Sequence, residues 1–519
     1  MPWTLWLAAC APLPFLAAAL APGRTAAVLK AARLASWLTL AASLTALASA
    51  LIFGAAATPS AGVAGLGLAV RVDVLSAVLS ALISFVGLVV VGYSRNYLGG
   101  DPRQGRFVRT LCLTLGLVLA LVLAGNLAQL VFCWIGASVA VNRLLLFRGE
   151  RQAAVLAARK RFLVCRASDL CLIVAAALLW RASGSADISE VLAAAKGASG
   201  AEWTVAAVLL SMAAVLSSAQ LPFHGWILEV METPTPVSAL LHAGVVNAGG
   251  FLVLRFGEVV AGQPAAMLLL IVVGAATALF GSLVMLTQTS VKVGLAYSTI
   301  AQMGFMLLEC GLGAFSAALL HIVAHSLYKA YAFLSAGGAA APKIASPRKR
   351  RAPAALAVVA PLMVAVGGSA AAALGVGPAL DPGAFVLGAV LLLGLARLWL
   401  DAWERGSRAT LIVAAASPVL LLAAYALSQA LFAGLAADLT ATSPTPSRLM
   451  VVAAIATVTL MTALVGLQLL LPGAAPSPAW IRAYALVSNG FHLNTIANRW
   501  VLRFWPAGPR FAASQGAIQ

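Results

Sequence analysis

Three ionisable residues recur at a fixed interval in one apolar run, AALLHIVAHSLYKAYAFLSAGG: His321, His325 and Lys329. At about 100° per residue, positions i, i+4 and i+8 form one slowly drifting stripe covering roughly 12 Å of a helix. Each charged group in a bilayer helix costs at least about 2.5 to 3.5 kcal/mol on insertion scales, so packing alone gives no reason for the trio. Imidazoles titrate near neutrality, and a stripe of this composition can relay protons. A second group lies in QLPFHGWILEVMETPTPVSALLHAGVVNAGGFLVLRF, residues 220 to 256, which carries His224, Glu229, Glu232 and His242. Glu229 and Glu232 are three apart and share one face of a short helical piece. A single buried histidine such as His242 is as easily a helix-to-helix hydrogen bond as a transport group. Arg166 and Asp169, at i, i+3, are expected to form a structural salt bridge at a membrane boundary. Lys292 precedes Tyr297, Ser298, Thr299 and Gln302. Snorkelling accounts for the lysine, and the four polar side chains after it suggest a hydrated lining.

These residues require positioning elements of membrane length. Hydrophobic residues make up 62% of the 519 positions and charged ones 9%, and mean hydropathy is +1.00. That composition lacks the polar surface of a soluble protein and predicts an all-α polytopic membrane bundle. About fifteen apolar runs are long enough to span a hydrocarbon core. The seventh, residues 203 to 231, is broken by Pro222, and Pro234-Thr235-Pro236 breaks the chain again before the eighth, residues 237 to 257. Non-helical backbone at membrane depth is tolerated only against protein or a water cavity, and broken helices commonly frame ion sites. The sixth run is read as residues 163 to 180, the twelfth as 353 to 376.

The net charge of +18 is topological. If successive runs cross the membrane, 27 of the 33 lysines and arginines fall on one side. The positive-inside rule makes that side cytoplasmic, with the amino terminus outside and the carboxyl terminus in the cytoplasm. No basic stripe on a soluble fold invites nucleic acid. The six cysteines lie in or beside apolar runs without a Cys-x-x-Cys pair, and they read as small apolar residues rather than a zinc or iron-sulfur site. The tail, WIRAYALVSNGFHLNTIANRWVLRFWP, suits an amphipathic interfacial segment. The expected organisation is packing helices over 1–107, a conducting core over 108–340, divergent helices over 341–475 and the tail over 476–519.

The runs QLPFHGWILEVMETPTPVSALLHAG, LAYSTIAQMGFM and HIVAHSLYKAYAFLSAG resemble the proton-conducting antiporter-like subunits of respiratory complex I and of the Mrp sodium/proton antiporters. The resemblance covers spans five to eleven; the flanks share only hydropathy. Complex I subunits carry a glutamate after the tryptophan of the fifth span, where this chain has Trp134-Ile135-Gly136. They carry a lysine before the Ser-Ala-Gln of the seventh, where this chain has Ser217. The Gly-Phe-x-x-Lys-Asp break of span twelve is also absent. The wording EVMETPTPVSALLHAGVVNAGGFLVLRF, with Asn-Arg-Leu-Leu-Leu-Phe in span five, is most similar to the membrane subunit of the Dab inorganic-carbon accumulation systems.

That resemblance implies a bacterial inner-membrane subunit, not itself an enzyme, conducting protons or sodium. It implies a large cytoplasmic DabA-type partner, similar to a β-type carbonic anhydrase, which holds the zinc and hydrates carbon dioxide to bicarbonate. No cofactor is expected on this chain. Transferred residue by residue, the resemblance makes His242, His321, His325 and Lys329 the relay. Glu229 and Glu232 stand in for the missing pair, and Lys292 gates the cytoplasmic entrance. The rival reading is a subunit of a redox-driven pump or of a multi-subunit cation/proton antiporter. A membrane anchor whose ion path has decayed is a third.

Overall fold

The structure, a computed structural model, describes residues 3–62, 67–230, 233–336, 379, 381–405, 408–435, 446–470 and 477–505. Its helices in chain order are α1 (Trp3–Ala9), α2 (Leu13–Leu20), α3 (Thr25–Phe53), α4 (Val74–Tyr97), α5 (Gln104–Val122), α6 (Leu127–Leu145) and α7 (Gln152–Ser183). Next come α8 (Ile188–Ala195), α9 (Ala201–Ser217), α10 (Gly225–Glu229), α11 (Thr235–Ala243), α12 (Ala248–Arg255), α13 (Gly257–Ala261), α14 (Pro264–Met285), α15 (Val291–Gly311) and α16 (Phe315–Ser335). The last are α17 (Pro382–Arg405), α18 (Arg408–Leu435), α19 (Arg448–Leu470), α20 (Pro478–Ser488) and α21 (Leu493–Phe504). A two-stranded hairpin pairs Ala56–Ala57 with Arg71–Val72. Among the described residues, 10 helices are long and apolar enough to cross a membrane, joined by shorter apolar helices such as Ala201–Ser217. The span expected at 353 to 376 lies outside the described residues, and so does Glu232.

Three elements depart from the hydropathy reading. Helix α7 starts at Gln152 and runs 32 residues, about 48 Å at 1.5 Å per residue, which exceeds a hydrocarbon core of about 30 Å. Hydropathy places its start at 163 because Arg159, Lys160 and Arg161 depress the window, yet these side chains sit well inside the helix. The eighth span is not continuous: α11 ends at Ala243, a 3-10 turn covers Val245–Asn247, and α12 resumes at Ala248. Gly244, at φ −130° and ψ −69°, leaves the helical region there, and the Asn247 amide donates to the Ala243 carbonyl at 3.1 Å. The first apolar run is two short helices, α1 and α2, with Pro12 at the start of the second.

The expected break in the seventh span is present, and its backbone is accounted for. After α9 the chain passes through Ala219, at φ 52°, and a cis Leu221–Pro222 bond before α10. The freed Leu221 N–H donates to Thr277 Oγ1 of α14 at 3.0 Å, and the Gln220 amide donates to the Ser218 carbonyl at 2.9 Å. Buried backbone groups need such partners.

Helices α14 and α15 pack through small residues. A Cβ on Gly304 would stand 2.5 Å from Ala278 N, and one on Gly281 would stand 2.6 Å from Ala301 N. Close approach of this kind is how helices associate where lipid gives no hydrophobic drive. It fixes α15, whose Thr299 faces α11 and whose Ser298 and Glu309 face α16, while Gln302 is exposed.

Two sets of contacts mark the two ends of the bundle. The start of α7, the α14–α15 turn and the tail meet at one end: Gln288 Nε2 donates to the Ser488 carbonyl at 3.1 Å and Arg159 Nη1 to the Trp505 carbonyl at 2.7 Å. At the other end Arg71 and Arg255 converge on Asp73, at 2.8 and 2.5 Å. Asp73 also caps α4 in a box with Ser76. Burial alone would raise the Asp73 carboxyl, but the two guanidiniums outweigh it and hold it well below the usual carboxylate range.

Candidate ion pathway

The α16 stripe is built and buried, and α15 and α11 supply its partners. Lys329 is wholly buried; its ammonium donates to Ser298 Oγ at 2.9 Å and to the Leu295 carbonyl at 3.1 Å. Among the described residues no carboxylate lies in ion-pair range of it. The Leu295 carbonyl also receives the Thr299 hydroxyl at 3.1 Å, and Thr299 Oγ1 is 2.9 Å from His242 Nδ1. With the Thr299 proton so engaged, His242 Nδ1 is the donor. Its ring stacks on Phe333 with centroids 4.2 Å apart. A hydrogen-bonded line thus runs from His242 through Thr299 and Leu295 O to Lys329.

At the other end of the stripe, His321 Nδ1 lies 3.0 and 3.1 Å from the two oxygens of Glu309 on α15. The His321 and His325 rings are 6.1 Å apart, and His325 is within electrostatic reach of His321, Lys329 and His242. Both His325 nitrogens, His321 Nε2 and His242 Nε2 are buried without a hydrogen-bond partner among the described residues. Buried polar atoms are normally bonded, and water is the bridge that gaps between imidazoles accept.

A cavity of ≈ 90 Å³ adjoins this line, walled by apolar residues of α4 and α5 and by Trp134, Ser138, Arg161, Ser217, Asn247 and Ser326. That is more than the roughly 10 to 15 Å³ one water needs. Asn247 Nδ2 donates to Ser326 Oγ at 2.8 Å, between His325 and Lys329 in sequence. Of the other lining residues, Arg161 donates from Nη1 to the Ser138 carbonyl at 3.0 Å; Arg166, outside the lining, donates from Nη2 to Ser138 Oγ at 3.2 Å. Arg166 also pairs with Asp169 at 2.7 Å, at the i, i+3 spacing. Ser217 faces the cavity; Ile135, on α6, is not among its lining residues.

Glu229 goes elsewhere. Its carboxylate is 2.5 Å from Lys160 Nζ, with the two side chains 12% and 5% exposed. The same ammonium donates to Asn494 Oδ1 and Asn498 Oδ1, both at 2.7 Å, and to the Gly225 carbonyl at 3.1 Å. Asn494 Nδ2 in turn donates to Glu229 Oε1 at 3.2 Å. Among the described residues no hydrogen bond or ion pair joins this cluster to the α16 stripe. Lys292 opens α15 half-buried and makes neither with a described residue.

Sequence reasoning passes over four participants. Glu309 is the one carboxylate inside the tenth apolar run, and that alone marks it as a candidate. Lys160 is hidden in a basic triplet that reads as a loop. Asn494 and Asn498 carry no signal beyond an i, i+4 spacing in the tail.

Residues 124–396 match the family described as NADH:quinone oxidoreductase/Mrp antiporter, and residues 60–108 match complex I chain 5 N-terminus. The chain belongs to this family of antiporter-like membrane subunits. Within it, the likeness is to the DabB type. The chain is 40% identical over 467 residues, covering 88% of its length and 84% of the relative's, to the probable inorganic carbon transporter subunit DabB2 of Halothiobacillus neapolitanus. It is 44% identical over 285 residues, 54% of each protein, to the probable subunit DabB of Hydrogenovibrio crunogenus. Its fold is similar to a chain of the Mrp complex from Dietzia sp. DQ12-45-1b, with TM-score 0.54, 26% identity and coverage of 99% of this chain and 58% of that one. It is also similar in fold to a chain of Thermus thermophilus respiratory complex I, with TM-score 0.57, 21% identity and coverage of 94% and 99%. These relatives are subunits of larger membrane assemblies, and the chain is a transport subunit of that kind.

Proposed function

We propose that the chain conducts protons as the membrane subunit of an inorganic carbon pump and drives hydration of carbon dioxide in a bound cytoplasmic DabA-type zinc subunit. The observation that carries this is the set of buried polar groups on three helices: the bonded pair Glu309–His321, the bonded group His242–Thr299–Leu295 O–Lys329, and His325 between them with its two nitrogens free for water. Hydrogen-bonded imidazoles, a hydroxyl and an amine can bind and release protons in turn, whereas a hard-cation cage needs converging oxygens. That composition favours the proton over sodium. The charge distribution supports a cytoplasmic assignment for the end that holds the tail, where a soluble partner would dock. The names of the DabB relatives support inorganic carbon as the cargo.

The test is carbon-13 bicarbonate uptake in cells with and without an uncoupler. Wild type accumulates and the uncoupler abolishes accumulation; His242→Ala and Lys329→Ala fall to the uncoupled level. Full uptake in both variants would remove the line from the mechanism. Recovery of quinone-reductase or small antiporter subunits, in place of one large zinc protein, on affinity purification would favour the redox-pump or antiporter assembly.

A further inference from the structure

The tail is anchored over the Lys160–Glu229 pair at several points. Helix α21 places Asn494 and Asn498 one turn apart on its inner face, where both accept from Lys160 and Asn494 also holds Glu229. Gly225 makes room for this, because a Cβ there would collide with Asn494 Oδ1. The far end of α21 is pinned by Arg159, whose guanidinium bonds the Trp505 carbonyl and lies 5.0 Å from the centre of that ring. The near end turns through Gly490, Phe491 and His492, all at positive φ. Phe491 sits against Phe280 with ring centroids 6.0 Å apart, and Gly490 lies against the Tyr297 hydroxyl. The outer face of α21 is a different surface: Ile496, Trp500 and Phe504, at i, i+4 and i+8, are exposed. An amphipathic helix of this build lies in the membrane interface. Side chains of the bundle hold its inner face, and its exposed outer face is apolar.

We propose that α21 is a built-in cover of the Lys160–Glu229 pair, with Asn494 and Asn498 as positioning residues that hold ammonium and carboxylate together and exclude the aqueous phase. The role of the covered pair in conduction rests on the function proposed above; the cover itself does not. With α21 seated, four oxygens from two segments occupy the ammonium: Glu229 and Gly225 of α10, and Asn494 and Asn498 of α21. With it lifted, only Glu229 and the Gly225 carbonyl remain, and the pair meets water. Seating and lifting α21 is therefore a gate on proton exchange between the broken seventh helix and the end of the bundle that carries the tail.

The experiment uses the full chain in nanodiscs and a membrane-impermeant N-hydroxysuccinimide ester, with acylation of Lys160 followed by peptide mass spectrometry and exposed Lys30 as internal standard. Wild-type Lys160 is protected. In Asn494→Leu/Asn498→Leu it is acylated about tenfold faster, since losing even one hydrogen bond to a charged group raises an open population by about that factor. Asn498→Asp, which keeps an acceptor oxygen on the ammonium, restores protection. Should the double variant not fold, Arg159→Ala frees the Trp505 end and is read in the same way. Equal acylation in wild type and variants, or wild-type Lys160 reacting as fast as Lys30, overturns the cover. Proton flux in proteoliposomes of the complex is measured in parallel. Faster acylation with unchanged flux leaves the cover standing and removes the pair from the conduction route.

Discussion

Replacing Glu229 by leucine removes one partner of a buried ion pair without removing the other. Stripping a partner from such a pair costs about 3 to 5 kcal/mol when the remaining charge is left uncompensated. Lys160 is not left so, because Asn494, Asn498 and the Gly225 carbonyl still accept from it. The loss then approaches that of one charge-assisted hydrogen bond, about 1.5 to 3 kcal/mol. The double substitution Lys160→Met/Glu229→Leu removes both charges and keeps apolar volume, so it regains most of that loss. The measurement is a double-mutant cycle by equilibrium unfolding in mixed micelles, with the exposed pair Arg181–Glu202 as reference. A Glu229→Leu variant no less stable than Arg181→Ala, or a double variant worse than either single one, would refute the geometry of a buried, caged pair. Proton flux in the stable double variant then separates a structural pair from a working one: restored stability without restored flux assigns the charges to transport.

Two further outcomes follow from the polar groups at other points of the bundle. Glu309→Gln keeps an acceptor for His321 but removes the charge, so the fold persists while carbon-13 bicarbonate uptake drops at least about tenfold, by the usual size of a lost proton-transfer group; uptake equal to wild type would take Glu309 off the line. Asp73→Asn leaves Arg71 and Arg255 without their carboxylate and costs about 3 to 5 kcal/mol at neutral pH. Because the Asp73 carboxyl is held below its unfolded value of 3.8, its contribution is fully present above that value and is lost as pH falls through it towards the folded one. Thermal unfolding should therefore show a constant gap between wild type and variant from pH 7 to about pH 5, closing only in stronger acid.

The α16 stripe is legible in sequence because its geometry is that of one helix: a spacing of four fixes the shared face wherever the helix packs. Its partners are less so. Glu309 is adjacent to the stripe only because α15 turns back through a short loop, and Thr299 reaches His242 only because the α14–α15 seam lets α15 approach closely. Ile135 and Ser217, where the resemblance leads to an expected Glu–Lys pair, are read directly from the chain. That Ser217 instead faces a small cavity with Arg161 and Asn247 on its walls is a matter of packing.

Apolar length and composition indicated, from sequence alone, an all-α bundle of membrane-length helices, since burial of hydrocarbon acts on each segment without regard to the rest. The destinations of Arg159, Lys160 and Arg161 were decided only in three dimensions. Consecutive residues on a helix point about 100° apart, so one turns to the Trp505 carbonyl, the next to Glu229 and the tail asparagines, and the third to the Ser138 carbonyl beside the cavity. Those partners lie between 23 and 346 residues away in the chain, and no local pattern encodes contacts that exist only once the helices have packed.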